Sequence, residues 1–98
     1  MAAITDIGAM ITASPEIRNG RPRIPGTGVT VHRIAVWSNL GHSPQEIAER
    51  IGHLSLAQVH AALAYYYANR EAIDADIARD DEEAERLERE HPALTPRR

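Results

Sequence analysis

The chain has 98 residues and a net charge of −3 with neutral histidines; cysteine and lysine are absent, so all eleven basic residues are arginine. That length suits one small domain, and the lack of cysteine excludes disulfides and thiolate chemistry. No apolar run is long enough to span a bilayer, and the start lacks the positive charge and cleavable apolar core of an export signal, so a cytoplasmic protein is expected. The charge is uneven. Through Arg70 six arginines stand against four acids, a balance of +2, whereas from Glu71 onward ten acids stand against five arginines, a balance of −5. A mildly basic body tolerates a polyanion; an acidic end is repelled by one and drawn to a basic protein surface.

In chain order, residues 1–8 carry no pattern and are expected to be loose. Ala9-Met10-Ile11-Thr12-Ala13 reads as a short strand and Ser14-Pro15-Glu16 as the turn out of it. Asn19-Gly20 is a hairpin-turn signal, because both residues accept positive φ. Arg21-Pro22-Arg23-Ile24-Pro25 is kept extended by two prolines, which also bar it from a central strand position. Gly26-Thr27-Gly28 reads as another turn; as a phosphate loop it lacks a third glycine and a strand–turn–helix setting. Val29-Thr30-Val31 reads as a second strand. A helix is expected from about His32 to Leu40, capped by Thr30 and closed by Gly41, with Ile34, Trp37 and Leu40 facing inward.

Residues 43–70 hold the strongest local signals. Ser43 with Glu46, and Ser55 with Gln58, each have the spacing of a capping box, and Pro44 suits a first helical position. Gly52 ends the first of the two helices. Ile47, Ala48 and Ile51 form one apolar face, and Leu56, Val59, Leu63 and Tyr66 the other, which makes a helix-turn-helix candidate. With the preceding helix, residues 9–70 form an extended arm plus a three-helix unit. Beyond Arg70 the last helix continues its stripe through Ile73 and Ile77. Asp80-Asp81-Glu82-Glu83 then leaves any buried pattern, and residues 84–90 have helical propensity with Leu87 nearly their only apolar group. Residues 71–98 are thus an acidic tail, solvated or ordering on a partner, with a frayed end from residue 91.

Residues 18–31 (RNGRPRIPGTGVTV), a following helix, Ser43-Pro44 with Glu46-Ile47, and Ala61-Ala62-Leu63-Ala64-Tyr65-Tyr66 resemble the bacterial domain-of-unknown-function family 433 over residues 11–78. Gly20-Arg21-Pro22, Ile24 and Gly26-Thr27 carry the likeness. The resemblance implies a homeodomain-like three-helix core. Members are commonly antitoxin-like and stand beside PIN-like ribonuclease toxins, so it also implies a toxin–antitoxin role. One position departs: the family usually has arginine directly after Gly-Thr, and this chain has Gly28 there. The expected fold is mainly α, with a homeodomain-like helix-turn-helix core, a short N-terminal β-arm and an extended acidic C-terminal helix.

As a DNA-reading helix, the segment from Leu56 would turn Ala57, Gln58, His60, Ala61 and Ala64 outward. Gln58 has the chemistry to read adenine and His60 to contact a phosphate. No arginine stands there, and the turn is one residue longer than the commonest DNA-binding form, so a purely structural helix pair remains open. Duplex affinity then leans on Arg18, Arg21, Arg23 and Arg33, which equally suit a solvated rim or pairing with the chain's own acidic tail. Tyr65-Tyr66-Tyr67 spans three helix faces, so one ring in the core and two at a contact surface are expected. His42, His53 and His60 include no i, i+4 pair, and no metal or cofactor is expected. Both serines of the capping boxes are used as caps and no activated nucleophile is visible, so no enzyme is expected.

The leading expectation is an antitoxin-type protein whose segment 73–94 inhibits a PIN-like nuclease, with Ile73, Ile77 and Leu87 as apolar anchors and Asp80, Asp81, Glu82 and Glu83 as phosphate-mimicking carboxylates. A DNA-binding autoregulator and a dimeric structural module are the alternatives. A homodimer is expected, because a body of about 60–70 residues is marginal alone and short strands leave unpaired edges.

Overall fold

A computed structural model describes residues 6–91. Its helices are α1 (Val31–Asn39), α2 (Pro44–Arg50), α3 (Leu56–Ala68) and α4 (Arg70–Glu90), preceded by two 3-10 turns, Ile7–Met10 and Arg18–Gly20. Local chemistry sets where each begins. Thr30 Oγ1 accepts from the Arg33 N–H at 3.1 Å to cap α1. Ser43 and Glu46 close a full capping box on α2, as Ser55 and Gln58 do on α3. Each such cap typically contributes about 1 kcal/mol.

No strand forms among the described residues, which corrects the two expected at residues 9–13 and 29–31. What remains are isolated antiparallel bridges, Thr12 with Arg23 and Arg23 with Thr30. Arg23 and Thr12 exchange backbone hydrogen bonds of 2.7 and 2.9 Å. Two residues further on, where the next such rung would fall, Pro25 has no N–H to donate. At the other end Ala9 and Met10 are drawn into the first 3-10 turn, which Asp6 caps through the Gly8 N–H. Val31 is likewise taken by α1, its N–H bonded to the Pro22 carbonyl. The turn signals themselves hold: Asn19 and Gly20 sit at φ +57° and +77°.

One apolar core draws on α1, α2, α3 and the start of α4, with Ile24 and Val29 beneath them. Tyr66 is fully buried while Tyr65 and Tyr67 are exposed, the division the triplet suggested. Three expected core residues are not in it. Trp37 is only partly buried, packed against its edge. Leu40 is 73% exposed because it is the C-cap of α1, past the helix whose buried face is Val31, His32, Ile34 and Ala35. Leu56, at the first position of α3, is also exposed, and the working stripe is Val59, Ala62, Leu63 and Tyr66.

α3 and α4 are not one continuous helix. Asn69 breaks them at φ −128°, ψ 30°, where its N–H bonds to the Tyr65 and Tyr66 carbonyls and its side-chain amide to Tyr65 O. Redirected by that residue, α4 lays Ile73 into the core at 3% exposure and Ile77 against its edge. From Asp81 to Glu90 every residue is exposed. At 1.5 Å per residue α4 is about 31 Å long, and its projection contributes to overall extents of 59 × 28 × 23 Å.

Candidate functional site

Three arginines from different parts of the chain meet at one groove. Arg18 opens the 3-10 turn that precedes Arg21, with φ +50°, followed by Asn19 and Gly20, also in the left-handed region. A non-glycine residue held there costs about 1–2 kcal/mol. The turn is closed by Gly20 N–H to Ile17 O and Arg21 N–H to Arg18 O. It sends the Arg18 side chain across residue 28, where Nε donates to the Gly28 carbonyl at 3.0 Å. Glycine leaves that crossing open: a Cβ on residue 28 would lie 3.0 Å from Arg18 Nη2 and 3.3 Å from Nε, so a side chain there would make the guanidinium give way by a few tenths of an ångström. Arg33 comes from the first turn of α1, which its cap Thr30 positions. With Arg21, Asn19 and Asp80 these residues line a groove of about 310 Å³.

The groove is electropositive, with three guanidiniums against one carboxylate. Asp80, on α4, accepts two hydrogen bonds from Arg21, at 2.8 and 3.0 Å, in a fork-to-fork pair. That bond holds the Asp80 carboxyl below its ordinary pKa and raises the Arg21 guanidinium. Arg18 and Arg33 have no acidic partner among the described residues.

Two further carboxylates on α4 face the body. Asp76 accepts from His32 Nε2 at 2.9 Å and also binds Arg79, and the His32 hydrogen bond is the main cause of its lowered pKa. His32 is buried on α1, and its Nδ1 has no partner among the described residues. Asp74 accepts from the Tyr66 hydroxyl at 2.6 Å, and that hydroxyl accepts in turn from Asn39 Nδ2 at 3.2 Å. The inner half of α4 is therefore docked by Ile73, Ile77 and three acids.

Of the residues expected to touch DNA, Arg18, Arg21 and Arg33 share the groove. Arg23 does not: it is 7% exposed, bonded to Ser14 Oγ at 3.2 Å. Gln58 spends its amide oxygen on the Ser55 N–H at 2.8 Å, in the capping box. His60 is exposed on α3, and Ala61, expected outward, is buried. Of the residues expected to bind a partner, Ile73 is in the core, Ile77 is half-buried and Asp80 is in the groove, whereas Asp81, Glu82, Glu83 and Leu87 are exposed. Leu94 lies outside the described residues. His32, Asp74 and Asp76 were not singled out in the sequence. For Asp76 the signal is the i, i+3, i+4, i+7 spacing of Ile73, Asp76, Ile77 and Asp80, a helix face in which acids alternate with isoleucines; no such spacing marks His32 or Asp74.

Among the described residues no group of three or more acids and histidines is placed to hold a metal ion, and no helix is long and apolar enough to cross a membrane. No curated protein matches the chain. Among solved structures, the crystal structure of a DUF433 member protein from Anabaena variabilis is similar, at a TM-score of 0.66 and 28% identity over 71% of this chain and 69% of that one. The family model for DUF433, described as a protein of unknown function, matches residues 11–66, from the arm to the buried tyrosine of α3. With more than half of its length matched, the chain belongs to the DUF433 family.

Proposed function

We propose that this protein is an antitoxin-type interaction protein and that the outer half of α4, residues 81–90, engages a PIN-like nuclease. One observation carries the reading: this half-helix is exposed on every side, with six carboxylates against two arginines and Leu87 at 45% exposure. Nothing in the body requires it, since the anchoring residues end at Asp80. Glu82 with Arg86, and Glu85 with Arg89, have the i, i+4 order that supports an isolated helix by about 0.3–0.5 kcal/mol per pair. A helix already formed loses less freedom on binding than a disordered tail. Its carboxylates would occupy the positions of RNA phosphates in a basic groove, with Leu87 as the apolar contact.

The helices α1–α3 serve in this reading as a homeodomain-like platform, α2 and α3 forming the helix-turn-helix. Duplex reading by α3 has less support, because Gln58 is committed to its cap and the helix carries no arginine.

The test is truncation after Asp80, which keeps Ile73, Ile77 and all three docking acids. Co-expressed with a PIN-like ribonuclease from the same genome, the shortened chain should fold yet neither co-purify with the nuclease nor neutralise it. Neutralisation by the shortened chain would overturn the proposal.

A further inference from the structure

We propose that the groove of Arg18, Arg21 and Arg33 is a binding site for a phosphoryl group, and that Asp80 is its built-in competitor. Three guanidiniums around about 310 Å³ are an unfavourable concentration of like charge in a chain whose net charge is −3. Asp80 is the one carboxylate in the groove's lining; Asp81 lines the adjoining hollow with Arg21 and Arg33, and Asp76 adds to the field at Arg21. The fork-to-fork bonds that Asp80 makes, at 2.8 and 3.0 Å, are the geometry that a guanidinium offers equally to two oxygens of a phosphate. The pair is open to water, with side-chain exposures of 30% for Arg21 and 50% for Asp80, so a stronger anion can displace it.

The rest of the groove is built for an anion that Asp80 alone does not satisfy. Arg18 is held at φ +50°, a strained conformation that persists only where its surroundings enforce it. Its Nε is anchored on the Gly28 carbonyl, while its terminal nitrogens make no hydrogen bond among the described residues. Gly28 leaves the space that the guanidinium fills, with a would-be Cβ only 3.0 Å from Nη2. The Arg33 side chain has no hydrogen-bond or acidic partner among the described residues, and Thr30 brings the positive end of the α1 dipole to the same wall. A phosphoryl group bridging Arg18 and Arg33 and taking over Arg21 would release Asp80, and with it the last anchor of α4. Ligand in the groove and docking of the acidic helix then oppose each other.

The same chemistry is offered by free phosphate and by a nucleic-acid backbone, and two probes separate them. Inorganic phosphate is titrated calorimetrically, and a fluorescent DNA duplex by anisotropy, each against chloride at matched ionic strength. The proteins are the full chain, Asp80→Asn, Arg33→Gln and Arg18→Gln, each first checked for an unchanged helical circular dichroism signal. Removing the competitor in Asp80→Asn should tighten binding by up to about fivefold, the span of an exposed ion pair. Arg33→Gln, a change at a side chain with no hydrogen-bond or acidic partner among the described residues, should weaken it. On the duplex it should also flatten the salt dependence by about one phosphate contact. This pattern with phosphate marks a small-anion site, and the pattern with the duplex alone marks a backbone contact. Hydrogen exchange at residues 76–80 should quicken when the bound probe is added to the unsubstituted chain. If neither probe binds Asp80→Asn, or binding is indifferent to both Asp80 and Arg33, the site is refuted. Unchanged exchange with the groove occupied refutes the competition. Truncation after Asp80 keeps every residue that lines the groove, and the probe titrations use only full-length chains, so this proposal and the nuclease-binding one fail separately.

Discussion

The division of α4 into a docked and a free half has a direct energetic test in Ile73→Ala and Leu87→Ala. Ile73 is 3% exposed and belongs to the core cluster with Tyr66 and Leu63. Replacing a buried isoleucine by alanine removes about 0.8 kcal/mol per lost carbon and leaves part of a cavity, typically 2–5 kcal/mol in sum. Two features pull this site to the low end. It lies in the first turn of α4 at the margin of the core, so the surroundings can close on the gap, and alanine's better helix propensity returns about 0.4 kcal/mol. The expected loss is roughly 2–3 kcal/mol, or a melting temperature lower by about 10–20 °C for a domain of this size. Leu87 is 45% exposed on the free half, and its replacement should change stability by less than about 0.5 kcal/mol. Thermal and urea unfolding followed by circular dichroism, at one protein concentration, measures both. If the Ile73 variant melts within about 3 °C of the parent, or no lower than the Leu87 variant, α4 does not belong to the cooperative unit and the docking argument fails.

The acids that dock α4 set the response to pH. Asp76 and Asp80 are held below the ordinary carboxylate pKa, so their contribution is complete above about pH 4–5 and is lost as pH falls through their folded values. That contribution should be constant from neutral to mildly acidic pH and fall below about pH 4. The doubly substituted Asp76→Asn, Asp80→Asn chain should show a shallower fall in urea midpoint, and an identical profile would refute the role. Tyr66→Phe removes the donor to Asp74 and the acceptor for Asn39 and should cost about 1 kcal/mol. Arg70, 3.5 Å from Asp74, holds it to the lower end, and an unshifted urea midpoint would contradict the estimate.

What could be read from the sequence was what a few neighbouring residues decide. Ser43 with Glu46, and Ser55 with Gln58, set both helix starts because a cap is completed within one turn. The left-handed backbone at Asn19-Gly20 was legible for the same reason. The strands were not, because pairing needs a partner segment with free N–H groups, and Pro25 withholds one. The role of α4 was masked by its own charge. The stripe through Ile73 and Ile77 was legible, but the charge break at Glu71 assigned it to a partner; in the fold both isoleucines pack on the body, and Asp76 between them and Asp80 one turn on bond to His32 and Arg21. Arg18, Arg21 and Arg33 were each visible as cations. Their convergence was not, since it depends on the direction of the turn at Arg18 and on where α1 begins relative to it.

Arg18 and Gly28, ten positions apart, draw on a single volume. The guanidinium that enters from residue 18 occupies the space into which any side chain at 28 would have to grow. A side chain at 28 and the guanidinium of Arg18 therefore compete for one place: a larger residue at 28 would require Arg18, a flexible side chain, to give way and to loosen its hold on the Gly28 carbonyl.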